Sequence, residues 1–206
     1  MLFSDFRYPG VLATFGLTYD PAPDLFPRVA DSPPRPGFGE AFVAGSELAS
    51  ILNNEKARSE WLIAPVLGEF WWRYRGRIGL YSGFEFAADP AAGLTGFCDF
   101  ILSRSPQHTI VTAPAVMIVE AKRENIIDGL GQCVAGMVGA QRFNQRGGTP
   151  IDPVYGCVTT GSVWKFLRLA GATLSLELRE YTITQVPRIL GIFTHIFGPA
   201  PEQAAA

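Results

Sequence analysis

The sequence predicts one α/β sandwich, and three observations carry that expectation. The apolar spacing changes along the chain in the order helix, three strands, helix, two or three strands, helix. One run, APAVMIVEAK ending at Lys122, has so few polar residues that it suits a central strand buried on both faces. Finally, 206 residues with 48% hydrophobic and 17% charged content allow one sizeable core and are short for two ordinary domains.

Residues 1–38 are rich in proline and glycine, as in YDPAPDLFPRVADSPPRPGFG, and exclude regular helix or central strand over that stretch. They are expected to form an arm laid over the body through Phe15, Leu17, Leu25 and Phe26. A single domain is expected over 39–198, beginning with a helical pattern from Glu40 to about Trp72 that breaks at Asn53-Asn54. Beyond the break, Ala57, Trp61, Ala64 and Leu67 fall on one helical stripe, either asparagine can cap, and Pro65 predicts a kink or boundary. IGLYSGFEFAAD and GLTGFCDFILS read as a hairpin around Asp89–Gly93, followed by the APAVMIVEAK strand. NIIDGLGQCVAGMVGAQRFNQ is helical, with small residues that let it pack close on a sheet, and RGG stops it. PVYGCVTTG is a strand, SVWKFLRLAGATLSLELREYTI continues as a hairpin turning at Ala170-Gly171, and QVPRILGIFTHIF is a closing helix. Residues 199–206 are expected to be a disordered tail.

Several function classes lose support at this level. The longest apolar runs fall short of the ~20 residues that span a bilayer, and MLFSDFRYPG lacks the charged and apolar segments of a signal peptide. A cytoplasmic, membrane-free protein is therefore expected. Cys98, Cys133 and Cys157 are widely spaced in apolar contexts, without a zinc pattern. His108, in a turn, and His195, in the closing helix, have no visible partner. The net charge of −2 lacks the basic excess of a protein that grips many phosphates. A nucleic-acid role then needs a local patch, a metal ion or a partner protein. WWRYRGR, with Arg73, Arg75 and Arg77, is one such patch; it also reads as a helix end where arginines suit the dipole.

The chemistry-bearing residues sit at strand ends. Glu120 and Lys122 alternate along the central strand and so project from one face. Alone they are equally a solvated strand tip. Asp99, however, interrupts the apolar run Phe97–Leu102, and a carboxylate there is costly to bury unless paired or bound to a metal. If the strand holding Asp99 pairs with the one holding Glu120, the carboxylates converge. Such oxygen donors suit Mg²⁺ or Mn²⁺, and the lysine can stabilise a phosphate or orient a water.

Asp99 followed by Glu120-x-Lys122, with this element order, resembles the PD-(D/E)XK nuclease superfamily. NEKARSEWLIAPVL is similar to the leading helix, and YGCVTTGSVWKFLRL to the later hairpin, of type I restriction subunit nuclease domains. Small stand-alone bacterial members of the superfamily are similar too. The resemblance spans roughly residues 47–197, with Cys98 standing where many members have proline. It implies a restriction-endonuclease-like α/β/α sandwich with a central mixed sheet, and a metal-dependent nuclease acting on DNA more than RNA. By position it implies that Asp99, Glu120 and the Ala121 carbonyl bind Mg²⁺ or Mn²⁺. Lys122 would polarise the water or stabilise the phosphate, and Gln132 would support the site. It also implies a carboxylate from the leading helix: Glu60, which shares a face with Ala57, Ala64 and Leu67, or else Glu55. A homodimer or a partner protein is a further expectation. A silent member of the fold, serving as a binding or assembly module, is the alternative.

Overall fold

The computed structural model describes residues 1–22, 24–107 and 109–199. His108 and the tail beyond Pro199 lie outside the described residues. From the N-terminus, the segment read as an arm contributes a short helix α1 (Gly10–Phe15) and a strand β1 (Thr18–Ala22). Next come α2 (Phe38–Leu52), α3 (Glu55–Arg58) and α4 (Ala64–Arg73). The strands β2 (Gly79–Glu85), β3 (Phe97–Ser103) and β4 (Ala115–Ala121) lead to the long helix α5 (Ile126–Arg146). The chain closes with β5 (Val154–Thr159), β6 (Val163–Ala170), β7 (Thr173–Glu177), the two-residue β8 (Tyr181–Thr182) and α6 (Val186–Phe197).

The eight strands form one open mixed sheet in the order β1-β7-β6-β5-β4-β3-β2, with β8 on β6. β2, β3 and β4 are an antiparallel meander, whereas β4 and β5 run parallel. A parallel pair needs a crossover, and α5 supplies it. All seven residues of β4 are buried, as its composition predicts. Ala115 and Ile118 join the core on the α5 side of the sheet; Met117, Val119 and Ala121 join the core formed with α4 and α6. The helices thus flank both faces, giving the expected α/β sandwich.

The small residues of α5 act as expected. A Cβ on Gly136 would lie 3.1 Å from Ile118, and one on Gly129 would lie 2.6 Å from Val158. The helix therefore approaches the sheet more closely than larger residues allow. Further along α5, fully buried Asn144 accepts from Ala115 N–H at 2.7 Å and donates to Ala115 C=O at 2.8 Å. Its amide substitutes for a ladder partner where the β3–β4 register shifts beside Ser103. Asn144→Ala would leave both backbone groups buried and unpaired, at about 1–3 kcal/mol each. Urea unfolding should therefore show a loss of at least about 2 kcal/mol, without change in m-value.

Two features of the N-terminal third differ from expectation. β1 pairs in parallel with β7 along Thr18–Ala22, so the arm also builds a sheet edge. Pro21 is tolerated there because an edge strand leaves one row of backbone groups unpaired. The helical break falls as predicted: Asn53 closes α2 with φ 42°, and Asn54 caps α3 by accepting Ala57 N–H at 2.9 Å. Pro65 then acts upstream of itself. Ser59–Ile63 form a π-helical turn between α3 and α4, in which Ala64 N–H reaches back to Ser59 C=O. This turn shifts the helical faces, leaving Leu62 and Ile63 buried but Trp61 41% exposed, off the stripe expected for it.

Candidate active site at the end of the central strand

β4 delivers Glu120 to the sheet's α5 face, and the chain just beyond it delivers Lys122. The register Phe100↔Val119 and Ile101↔Ile118 continues one step to set Asp99 across from Glu120. Residues directly opposite in an antiparallel pair point to the same face, so both carboxylates meet there. Beyond that point the ladder gives way to a side chain: Asp99 Oδ2 accepts Ala121 N–H at 2.8 Å. On the other side, Lys122 N–H donates to Thr159 C=O at 2.8 Å, holding the chain against β5. The Lys122 stem runs under α5, where a Cβ on residue 129 would lie 3.1 Å from its Cγ. Glycine at that position is what admits the lysine.

Lys122 Nζ sits 2.6 Å from Glu120 Oε1, and Glu120 is 1% exposed. Burial, followed by the negative charge of Asp99, pushes the Glu120 carboxyl up to about 8, against the downward pull of Lys122. Burial alone would lower the Lys122 ammonium, but Glu120 outweighs it and the net shift is upward. Burial and Asp99 thus hold the Glu120 carboxyl towards its neutral form, even with the Lys122 ammonium beside it. This cluster opens into a cleft of about 430 Å³ lined also by Glu55, Glu85 and Gln132. Four carboxyl groups, with Glu120 held towards its neutral form, and one ammonium line it, so acidic groups outnumber the cation.

Of the residues singled out in the sequence, Asp99, Glu120, Lys122, Gln132 and Glu55 share this cleft. Glu60 does not. The π-helical turn rotates it to solvent, where it pairs with Lys56 at 3.0 Å, so Glu55 is the leading-helix carboxylate the fold brings to the site. Glu85, at the end of β2, had no sequence signal beyond its place in the alternating FEF. Leu2 and Ser4 form part of one wall, a role that long-range packing alone assigns. Arg73 of WWRYRGR turns inward to Glu69 at 3.1 Å, while Arg35 and Arg75 lie over the Trp72 ring. Arg73 of that patch thus serves the helix end, while Arg75 and Arg77 are exposed.

Among the described residues, no group of three or more His, Cys, Asp and Glu is placed to enclose a metal ion. The donor set available is two carboxylates and a backbone carbonyl. The Ala121 N–H donates to Asp99 at 2.8 Å, which brings the Ala121 backbone against the carboxyl pair. Mg²⁺ keeps several waters and takes one or two protein carboxylates, so this set fits it. No helix among the described residues is long and apolar enough to cross a membrane. No protein-family model, curated protein or solved structure matches the chain.

Proposed function

We propose that the protein is a divalent-metal-dependent phosphodiester hydrolase, a nuclease acting on DNA more than RNA. The observation that carries this is the convergence of Asp99, Glu120 and Lys122 at the end of a buried strand, in an acidic cleft open to solvent. Asp99, Glu120 and the Ala121 carbonyl would hold Mg²⁺ or Mn²⁺. When bound, the metal supplies charge neutralisation at the phosphate and a lowered pKa for a water. Lys122 would donate to the phosphate oxygens from its position beside Glu120. Gln132, on α5 beside the cleft, can donate its amide to the same group. Glu55 adds negative charge on the rim and orients solvent or a second cation.

The test is calorimetric titration of Mg²⁺ and Mn²⁺ into wild type and Asp99→Ala, with cleavage of plasmid and single-stranded DNA followed in parallel. Wild type is expected to bind millimolar or tighter. Asp99→Ala should lose binding and reduce cleavage by a factor on the order of 10²–10³ or more. A wild type that binds neither metal would remove the catalytic reading. That outcome favours the second reading, a binding or assembly module on the same fold. One observation supports it: Asp99 and Glu120 already have protein partners in Ala121 N–H and Lys122.

A further inference from the structure

A second hollow lies beside the cleft at Lys122. Glu55 and Lys122 also line a smaller depression that includes Arg123, and Glu124 and Asn125 carry that depression into a cavity of about 540 Å³. The three hollows thus neighbour one another around the first turn of α5. The cavity lies within the 300–1,000 Å³ typical of ligand sites, and its chemistry differs from that of the cleft. Leu130, Val163 and Leu176 give it an apolar floor, while Tyr8 and Tyr19 bring two phenols from the N-terminal segment. Burial, and then the nearby Tyr19, hold the Tyr8 hydroxyl above its ordinary range. Lys165 lines the same cavity, 3.4 Å from Glu180.

These features bear on substrate form. A duplex is gripped through many phosphates by many cations, yet the cleft offers one ammonium among four carboxyl groups. Single strands expose their bases, and stacking on aromatic side chains adds about 1–3 kcal/mol per base to what the phosphates gain. We propose that the cavity receives an unpaired nucleobase of the strand whose phosphodiester lies in the cleft. The inference rests on the phosphodiesterase reading and narrows its substrate to single-stranded or frayed nucleic acid. The base's flat face stacks on the Tyr19 ring beside the apolar floor, and its polar edge meets the Tyr8 phenol and Lys165.

The test is calorimetric titration of the protein, without divalent metal, with an octathymidylate, its abasic counterpart of equal length, and thymidine 5′-monophosphate. The octathymidylate is expected to bind at least about tenfold more tightly than the abasic strand. Tyr19→Ala, on a partly exposed edge strand, should abolish most of that difference, and Tyr19→Phe should retain it. Preference for the free monophosphate over the oligomer would mark a nucleotide pocket and overturn the strand assignment. Equal affinity for abasic and base-bearing strands, or no effect of Tyr19→Ala in a folded protein, would overturn the base site. Metal titration of the same samples separates the two claims. Intact metal binding without base discrimination overturns the cavity assignment alone, whereas base discrimination without metal binding overturns the hydrolase.

Discussion

Glu120→Gln should stabilise the metal-free protein at about pH 8.5 and flatten the pH dependence of its unfolding free energy. The Glu120 carboxyl is raised from 4.5 to about 8 by burial and by Asp99. A carboxyl whose pKa is raised on folding favours the folded state below its unfolded value and loses that contribution as pH climbs through the folded value. Wild type should therefore lose stability between about pH 4.5 and 8, by as much as ~1.4 kcal/mol per pH unit and on the order of a few kcal/mol in all. Glutamine has nearly the same shape and cannot ionise, so this slope disappears while the amide oxygen still accepts from Lys122. Denaturant unfolding at pH 5.5, 7 and 8.5 measures both slopes. Saturating Mg²⁺ should restore wild-type stability at the highest pH, because a ligand of the folded state stabilises it by mass action, and should leave the variant unmoved. A variant destabilised equally at every pH would instead make Glu120 and Lys122 an ordinary structural ion pair.

Asp99, Glu120 and Lys122 were legible in the sequence because strand geometry is nearly local. Alternation puts Glu120 and Lys122 on one face, and a lone aspartate in an apolar run needs a partner. The choice between Glu55 and Glu60 was not legible on the same grounds. A 3.6-residue period assumes an unbroken α-helix, and the π-helical turn ahead of Pro65 adds one residue to that count. Glu60 and Trp61 consequently face solvent, while Asn54, a cap recognisable from residue type, fixes Glu55 at the helix start. The parallel pairing of β1 with β7 was hidden for another reason. Thr18–Ala22 contains a proline and is exposed along most of its length, so it lacks the alternation that marks a strand. Its pairing depends on residues far along the chain, as does the cleft wall formed by Leu2 and Ser4.

Gly131→Ala should lower stability on the order of 3 kcal/mol, although alanine ordinarily favours a helix interior over glycine by about 1 kcal/mol. The reason is contact with backbone. A Cβ on Gly131 would lie 2.5 Å from Phe6 C=O, 2.6 Å from Arg7 Cα and 2.7 Å from the Arg7 carbonyl carbon. No side chain can rotate away to relieve this. The N-terminal segment must lift from α5, yet it is fixed on both sides of the contact: Phe3 N–H donates to Thr95 C=O at 2.8 Å, and Phe3, Phe6 and Val11 are buried in the core. In a chain of this size the loss corresponds to a fall in Tm of roughly 6–12 °C. Gly68→Ala is the control, because a Cβ there meets nothing within 4 Å; it should be neutral or stabilising by about 0.5–1 kcal/mol. The same displacement carries a functional consequence. Leu2 and Ser4 line the acidic cleft, and Tyr8 lines the cavity beyond it. Folded Gly131→Ala should therefore weaken the proposed binding of the octathymidylate, while the proposed metal site of Asp99 and Glu120, carried on β3 and β4, should be unaffected. Loss of stability together with unchanged strand affinity would show that the N-terminal segment braces the fold without shaping the groove.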